Sequence, residues 1–180
     1  MDRRHFLQSA SLSLAAGSFT SLGSLLFSQE ARAAIGSTLT IAYNIAPPAW
    51  DPNSGSYSTS PGLQTIFRTL YDPYIEQGND LSLQPGIIDQ FGWSPDRSRI
   101  TMRLRNGATW HDGKPVTIDD VVWNLRRLGD PQSGNLLASV FASNKNFAVK
   151  GNEVTFEVTP WRANMLERFT FLACYLLPPH

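Results

Sequence analysis

Few residues in this sequence have the types and spacing that catalysis or metal binding requires. The one cysteine, Cys174, can form neither an internal disulfide nor a cysteine-based zinc site, and its apolar neighbours predict a buried side chain. His111 and Asp112 are adjacent, so their side chains diverge, and with Gly113 they are more typical of a tight turn than of a metal site. Residues 34–180 contain no G-x-S-x-G, H-E-x-x-H or C-x-x-C motif and no glycine-rich phosphate loop. The sequence therefore predicts a protein that is not an enzyme and needs no cofactor or metal.

The N-terminal segment has the three parts of an export signal in the usual order. A short basic stretch carries the adjacent Arg3 and Arg4, and a weakly apolar stretch diluted by Ser, Gly and Thr follows it. Small residues at Ala31 and Ala33 fit the two positions that a signal peptidase reads, which places the cleavage before Ala34. The run D-R-R-H-F-L is similar to the R-R-x-F-L pattern of twin-arginine signals. We therefore expect a twin-arginine signal peptide that engages the Tat translocase.

Cleavage at that point divides the chain into a signal peptide, residues 1–33, and a mature part, residues 34–180. No cysteine lies near the cleavage position, so a lipid anchor is not expected, and no apolar run of about 18 residues follows it. The whole chain has 15 basic and 15 acidic residues, which gives no electrostatic reason to expect nucleic acid as a partner. These features predict a soluble periplasmic protein. An exported enzyme and an ordinary amphipathic N-terminal helix are the alternatives.

Apolar residues at regular intervals predict an α/β protein. Thr38–Tyr43 alternates as a strand does, Asn44–Ser60 has the composition of a long loop, and Ser60 followed by Pro61 predicts a helix start. Arg99–Arg105 alternates basic or polar with apolar residues, which predicts a strand with one basic, solvated face. The other predicted elements are a strand at Phe91–Trp93, a capping box at Thr117–Asp120, a helix that buries Val121, Val122, Leu125 and Leu128 and stops at Gly129-Asp130-Pro131, a hairpin around Gly151-Asn152, and a helix from Met165 to Leu172.

An ordered series of short motifs runs through most of residues 38–128. It comprises T-L-T-I-A-Y at Thr38–Tyr43, Asp51-Pro52, L-Y-D-P-Y-I at Leu70–Ile75, L-Q-P-G-I at Leu83–Ile87, W-S-P-D at Trp93–Asp96, L-R-N-G-A-T-W-H-D-G-K-P-V-T at Leu104–Thr117 and D-D-V-V-W-N-L-R-R at Asp119–Arg127. The series resembles the family 5 extracellular solute-binding proteins of ABC transporters, which include dipeptide-, oligopeptide- and nickel-binding proteins. The H-D-G-K-P-V-T run is a turn followed by a helix cap. It therefore indicates the fold but does not identify the transported ligand.

The resemblance implies both a fold and a function. The fold is α/β and periplasmic-binding-protein-like, type II, and the chain is expected to hold the N-terminal portion of lobe I with its small inserted α+β subdomain, without the second lobe. Ligand lies between the lobes in this family, and hinge closure is the signal that the transporter reads. The expected function is extracytoplasmic solute binding for an ABC importer, with permease subunits as partners and peptides as the commonest cargo. Nickel chelates and other solutes stay open as cargo, and a truncated product that is inactive by itself stays open as an alternative.

The expected ligand contacts come from the loop that follows the first predicted strand. Loops at strand ends line the cleft of a two-lobed binding protein, and this loop offers backbone amides, hydroxyls and an aromatic ring. The resemblance places the same loop and the segment Cys174–Leu177 near the cleft. The alternative is a solvated loop in which Ser60 only caps a helix, and the apolar run Phe171–Leu177 is expected to be exposed. The predicted ligand-binding residues are Asn44, Tyr57, Ser58, Thr59, Ser60 and Tyr175.

Overall fold

A computed structural model describes residues 40–170 and 172–179, without the side chains of residues 56 and 57. The signal-peptide expectations, from Arg3 and Arg4 to Ala31, Ala33 and Ala34, lie outside the described residues. The chain divides after residue 41, and every element below belongs to the second unit, residues 42–180. In chain order the elements are α1 (Pro61–Leu70), β1 (Glu76–Gln77), β2 (Leu83–Gln84), β3 (Ile88–Trp93), β4 (Arg99–Leu104), α2 (Ile118–Gly129), α3 (Ala138–Phe141), β5 (Asn144–Lys150), β6 (Glu153–Val158) and α4 (Met165–Arg168), with short 3-10 helices at Ser56–Thr59 and Pro131–Ser133.

The core of the second unit is an antiparallel sheet of four strands in the order β3-β4-β6-β5. Apolar residues alternate along β4 and β6 and face the same side of the sheet. Ile100 and Met102 of β4 lie opposite Phe156 and Val154 of β6, and all four side chains are fully buried. These side chains share one apolar cluster with the buried face of α2. The hairpin predicted around the Gly-Asn turn is confirmed as β5 and β6.

The opposite face of the sheet is polar, as the sequence predicts for β4. Arg99 pairs with Glu157 at 3.1 Å, and Arg103 pairs with Asp89 at 2.8 Å. Both pairs join neighbouring strands and are largely solvated, so each contributes little to stability. The basic row of β4 is therefore an ion-paired outer surface.

Helix α2 begins and ends where the sequence predicts. The Thr117 side chain accepts a hydrogen bond from the backbone N–H of Asp120, and the Asp120 carboxylate accepts one from the backbone N–H of Thr117, which completes a capping box. The helix stops at Gly129, two residues before Pro131, whose ring cannot continue it. The predicted tight turn is also confirmed, since Gly113 has a φ of +84° and the N–H of Trp110 bonds the Lys114 carbonyl at 2.8 Å.

Two predicted elements differ from the structure. Residues 40–43 of the predicted first strand form no strand, and Ile41 and Tyr43 are 61% and 40% exposed, because no described strand lies alongside to share hydrogen bonds. The helix expected from Met165 to Leu172 is a single turn that ends at Arg168, after which the chain reverses through Ala173 at a φ of +58°.

The expectation that Phe171–Leu177 is exposed is wrong for Ala173–Leu176, while Leu172 and Leu177 are half-buried. Ala173, Cys174, Tyr175 and Leu176 are at most 3% exposed. The buried thiol of Cys174 confirms the prediction from its apolar neighbours, and burial raises its pKa well above the usual value. The segment is buried because polar side chains from three other regions bond its backbone, as described next.

Candidate ligand-binding site

The loop that carries most of the predicted site is joined to the rest of the chain through its middle residues. Asp51 pairs with Arg127 of α2 and also accepts a hydrogen bond from the backbone N–H of Asn53 at 3.0 Å. Further along, the N–H of Gly55 donates to the carbonyl of Gly134 at 3.0 Å. Asp51 of the Asp51-Pro52 motif thus joins the middle of the loop to α2.

Asn53 holds the C-terminal segment through a paired hydrogen bond. Its side-chain amide donates to the Tyr175 carbonyl at 2.8 Å, and its side-chain oxygen accepts from the Tyr175 N–H at 2.8 Å. The two residues are 1% and 2% exposed. A primary amide presents one acceptor and one donor side by side. It therefore satisfies the N–H and the carbonyl of Tyr175 as the backbone of a neighbouring strand would.

Two further asparagines bond the segment, Asn124 through a second paired hydrogen bond and Asn135 through a single one. Asn124 of α2 accepts from the Leu177 N–H at 3.0 Å and donates to the Leu177 carbonyl at 2.7 Å, and Asn135 donates to the Ala173 carbonyl at 2.9 Å. The bonded positions are alternate residues. Tyr175 and Leu177 bond from the same edge of the chain, whereas Ala173 lies in the preceding turn with a φ of +58°. On the other edge, the N–H of Leu176 donates to the Asp72 carbonyl at 3.1 Å. We call Asn53, Asn124 and Asn135 the asparagine clamp.

The Tyr175 side chain extends the same network into α1. Its hydroxyl donates to the Gln64 side-chain oxygen at 2.6 Å, and the Gln64 amide donates to the Ser58 carbonyl. Burial raises the pKa of Tyr175 to about 12, so the hydroxyl stays protonated and remains a donor at neutral pH. Loop, helix and C-terminal segment are therefore one hydrogen-bonded unit.

The predicted ligand-binding residues fall into an inner and an outer group. Ser58 is fully buried and donates to the Gly55 carbonyl at 2.7 Å, and Tyr175 is buried as described, so both are framework in this structure. Asn44 and Thr59 are exposed and Ser60 is half-buried.

The outer residues lie near the start of α1. Thr59 and Ser60 directly precede this helix in sequence, and Asn44 is next to Ile45, which packs against it. Ile45 lies against Gly62, since its methyl group is 3.4 Å from the place a Cβ on Gly62 would take. Ser60 stands at the N-cap of α1 in an extended conformation but makes no side-chain hydrogen bond to it. Tyr57 lies within the 3-10 helix, and its side chain is outside the described atoms. Contact of these residues with ligand stays a prediction.

A surface concavity of about 460 Å³ lies beside the loop, at the end of α2. The Arg127 guanidinium faces Asp51 on one side and stacks over the Trp123 ring, 5.9 Å from its centroid, on the other. The lining residues are Trp123, Arg126, Arg127, Asp130, Gln132 and Ser133. Guanidinium, amide and indole groups can bind a polar ligand. In the described part of the chain, no three His, Cys, Asp or Glu residues group as metal ligands, and no helix has the length and hydropathy of a membrane span.

Sequence reasoning did not identify the asparagine clamp. Asparagine is common in turns and is usually exposed. The sequence therefore gives no reason to expect that Asn53, in a loop, or Asn135, after a glycine, is buried. Asn124 gave the one usable signal, because it lies beside the apolar residues of the predicted helix; the structure shows it 1% exposed.

Known proteins resemble this chain in sequence and in structure. The model of the bacterial extracellular solute-binding proteins, family 5, matches residues 82–180. The probable peptide ABC transporter periplasmic-binding protein y4tO of Sinorhizobium fredii is 34% identical over 131 residues, which are 72% of this chain and 24% of that protein. This chain thus spans about a quarter of the length of that relative.

Two solved structures show the fold. The murein tripeptide binding protein MppA of Escherichia coli matches with a TM-score of 0.62 and 22% identity, over 73% of this chain and 29% of that one. The oligopeptide-binding protein AppA of Bacillus subtilis, solved with a nonapeptide, matches with a TM-score of 0.64 and 19% identity, over 73% and 26%. The predicted class is confirmed: the fold is a part of the type II periplasmic-binding-protein architecture. The chain belongs to the family 5 bacterial extracellular solute-binding proteins.

Proposed function

We propose that this chain is part of the solute-binding component of an ABC importer, and that its cargo is peptide. The observation that carries the proposal is the 34% identity, over 72% of the chain, to a probable peptide ABC transporter periplasmic-binding protein. MppA and AppA, whose structures are similar, are named for binding murein tripeptide and oligopeptides. No catalytic step is proposed, because the family is one of binding proteins.

In this proposal the loop from Asn44 to Ser60 contributes one wall of the ligand site. Asn53 of the clamp and the Asp51–Arg127 pair hold the middle of the loop, so less ordering entropy is lost there when ligand binds. Thr59 and Asn44 are exposed and offer a hydroxyl and an amide to a peptide backbone. The closed, ligand-loaded state is then delivered to the permease subunits, as two-lobe closure requires.

Uptake by the source organism tests the importer role. Disruption of the gene is expected to reduce uptake of a radiolabelled tripeptide, and the restored wild-type gene is expected to recover it. A Thr59→Ala/Asn44→Ala double variant should recover less, whereas Asn79→Ala, an exposed residue of the β1–β2 turn, should recover fully. Unchanged tripeptide uptake in the disrupted strain would contradict the peptide importer, and equal recovery by both variants would contradict the loop assignment.

We also propose that the chain is exported through the twin-arginine route and acts in the periplasm without a lipid anchor. The support is the Arg3-Arg4 pair and the small residues Ala31 and Ala33 before Ala34. N-terminal sequencing of the exported form is expected to begin at Ala34. The Arg3→Lys/Arg4→Lys variant is expected to accumulate as precursor, and Arg32→Lys is the matched control; export of the double variant at the normal rate would exclude this route.

A further inference from the structure

A second concavity, of about 510 Å³, lies between the β3–β4 turn and α4. It shares no residue with the asparagine clamp, with the loop Asn44–Ser60 or with the concavity at the end of α2. The residues that line it are Trp93, Ser94, Pro95, Arg97, Trp161, Ala163, Leu166 and Glu167. We call it the tryptophan pocket.

Two indole rings give the tryptophan pocket its apolar surface. Trp161 is 52% exposed, and within the described residues its ring packs on no other ring. Trp93 is half-buried at the end of β3, on the same face as its cross-strand partner Ile100. Large aromatic surface left in water, beside an opening lined by polar groups, is typical of a recognition site.

Two opposite charges complete the tryptophan pocket. Arg97 and Glu167 are both exposed, and neither side chain has an ion pair or hydrogen bond with any described residue. The guanidinium supplies donors and the carboxylate supplies acceptors, and their charges cancel. Such a lining favours a neutral ligand that carries both donors and acceptors.

Both walls of the tryptophan pocket are held in place. On the turn, the Asp96 carboxylate accepts from the Ser98 hydroxyl at 2.8 Å and from the Ser98 N–H at 3.2 Å, which fixes the backbone next to Arg97. On the other wall, Met165 and Leu166 are buried and hold α4, so the position of Glu167 is set. A site formed before binding loses little entropy when a ligand enters it.

We propose that the tryptophan pocket binds a neutral glycan. One sugar ring lies with its C–H bonds against the electron-rich faces of Trp93 and Trp161, and its hydroxyls donate to Glu167 and accept from Arg97. A proline-rich peptide is the other common ligand of aromatic grooves. It fits less well, because proline has no N–H to donate to the Glu167 carboxylate.

Titration of the full chain with chitohexaose, cellohexaose and maltohexaose tests this, with tryptophan fluorescence and calorimetry as readouts. We expect saturable one-to-one binding of at least one of these sugars. Trp161→Ala should weaken it by about tenfold or more, because it removes one stacking face. Glu167→Gln should weaken it by a smaller factor, because a neutral amide is a poorer acceptor than a carboxylate.

Leu136→Ala is the control, because Leu136 is 54% exposed and lines neither the tryptophan pocket nor the concavity at the end of α2. It should leave sugar binding unchanged, and far-UV circular dichroism should show that all three variants are folded. The proposal is overturned if none of the sugars saturates the protein below about 10 mM. It is also overturned if Trp161→Ala binds as tightly as wild type, or if a proline-rich decapeptide and no sugar binds in a Trp161-dependent manner.

Discussion

Removal of the Asn53 side-chain amide should destabilise the folded chain far more than its position in a loop suggests. Asn53→Ala leaves the N–H and the carbonyl of Tyr175 without the partners that now lie at 2.8 Å each. Both residues are at most 2% exposed, so water does not replace the amide without a rearrangement. A buried backbone group without a partner costs about 1–3 kcal/mol, so the two together predict a loss of about 2–6 kcal/mol in the free energy of unfolding.

Urea unfolding followed by circular dichroism measures this loss as a shift of the midpoint at constant m-value. Asn106→Ala is the control, because Asn106 is exposed and accepts a single hydrogen bond, from Asn152 at 2.9 Å; its cost should stay within about 0.5 kcal/mol. Asn53→Asp should also destabilise, because it sets a carboxylate against the Tyr175 carbonyl. If Asn53→Ala costs no more than the control, the clamp does not hold the C-terminal segment.

Four further outcomes follow from other parts of the structure. Gly113→Ala should cost about 1 kcal/mol in urea unfolding, because alanine is strained at a φ of +84° although no atom lies within 4 Å of its methyl group. Thr117→Ala should cost about 1 kcal/mol in the same assay, because it removes half of a capping box. The Asp96 pKa is lowered to about 2, chiefly by the hydroxyl of Ser94, so its contribution is complete above about pH 4 and is lost as pH falls through 2; the midpoint difference between wild type and Asp96→Asn should therefore shrink in acid. Cys174 is fully buried, so Ellman's reagent should react with it only across the urea transition, and rapid reaction in native buffer would contradict its burial.

Elements with a strong local pattern were predictable from the sequence. The alternation in β4 and β6 and the Thr117–Asp120 cap act over a few residues, and the structure confirms each of them. Residues 40–43 also alternate, but a strand exists only beside another strand, and the sequence pattern does not say whether one is present.

The candidate site was harder to predict, because its geometry depends on contacts between distant parts of the chain. Tyr175 was identified as a site residue, yet nothing local shows that its backbone lies between Asn53 and Asp72. When the fold brings a polar side chain and its buried partner together, their separation in the sequence follows no regular pattern. The exposure expected for Phe171–Leu177 was wrong at residues 173–176 for the same reason: amide side chains bond the backbone of this segment and allow these residues to be buried.

The asparagine clamp also has a consequence for the order of folding. Asn53 and Tyr175 are 122 positions apart in sequence, whereas β5 and β6 are joined by a short turn. Closing a long loop costs more entropy than closing a short one, so we expect the sheet and α2 to form first and the clamp to close last. During synthesis, Asn53 can then form its hydrogen bonds to Tyr175 only after the last part of the described chain has left the ribosome. In stopped-flow experiments Asn53→Ala should accordingly unfold faster than wild type and refold at the same rate, and slower refolding would place the clamp in the folding nucleus.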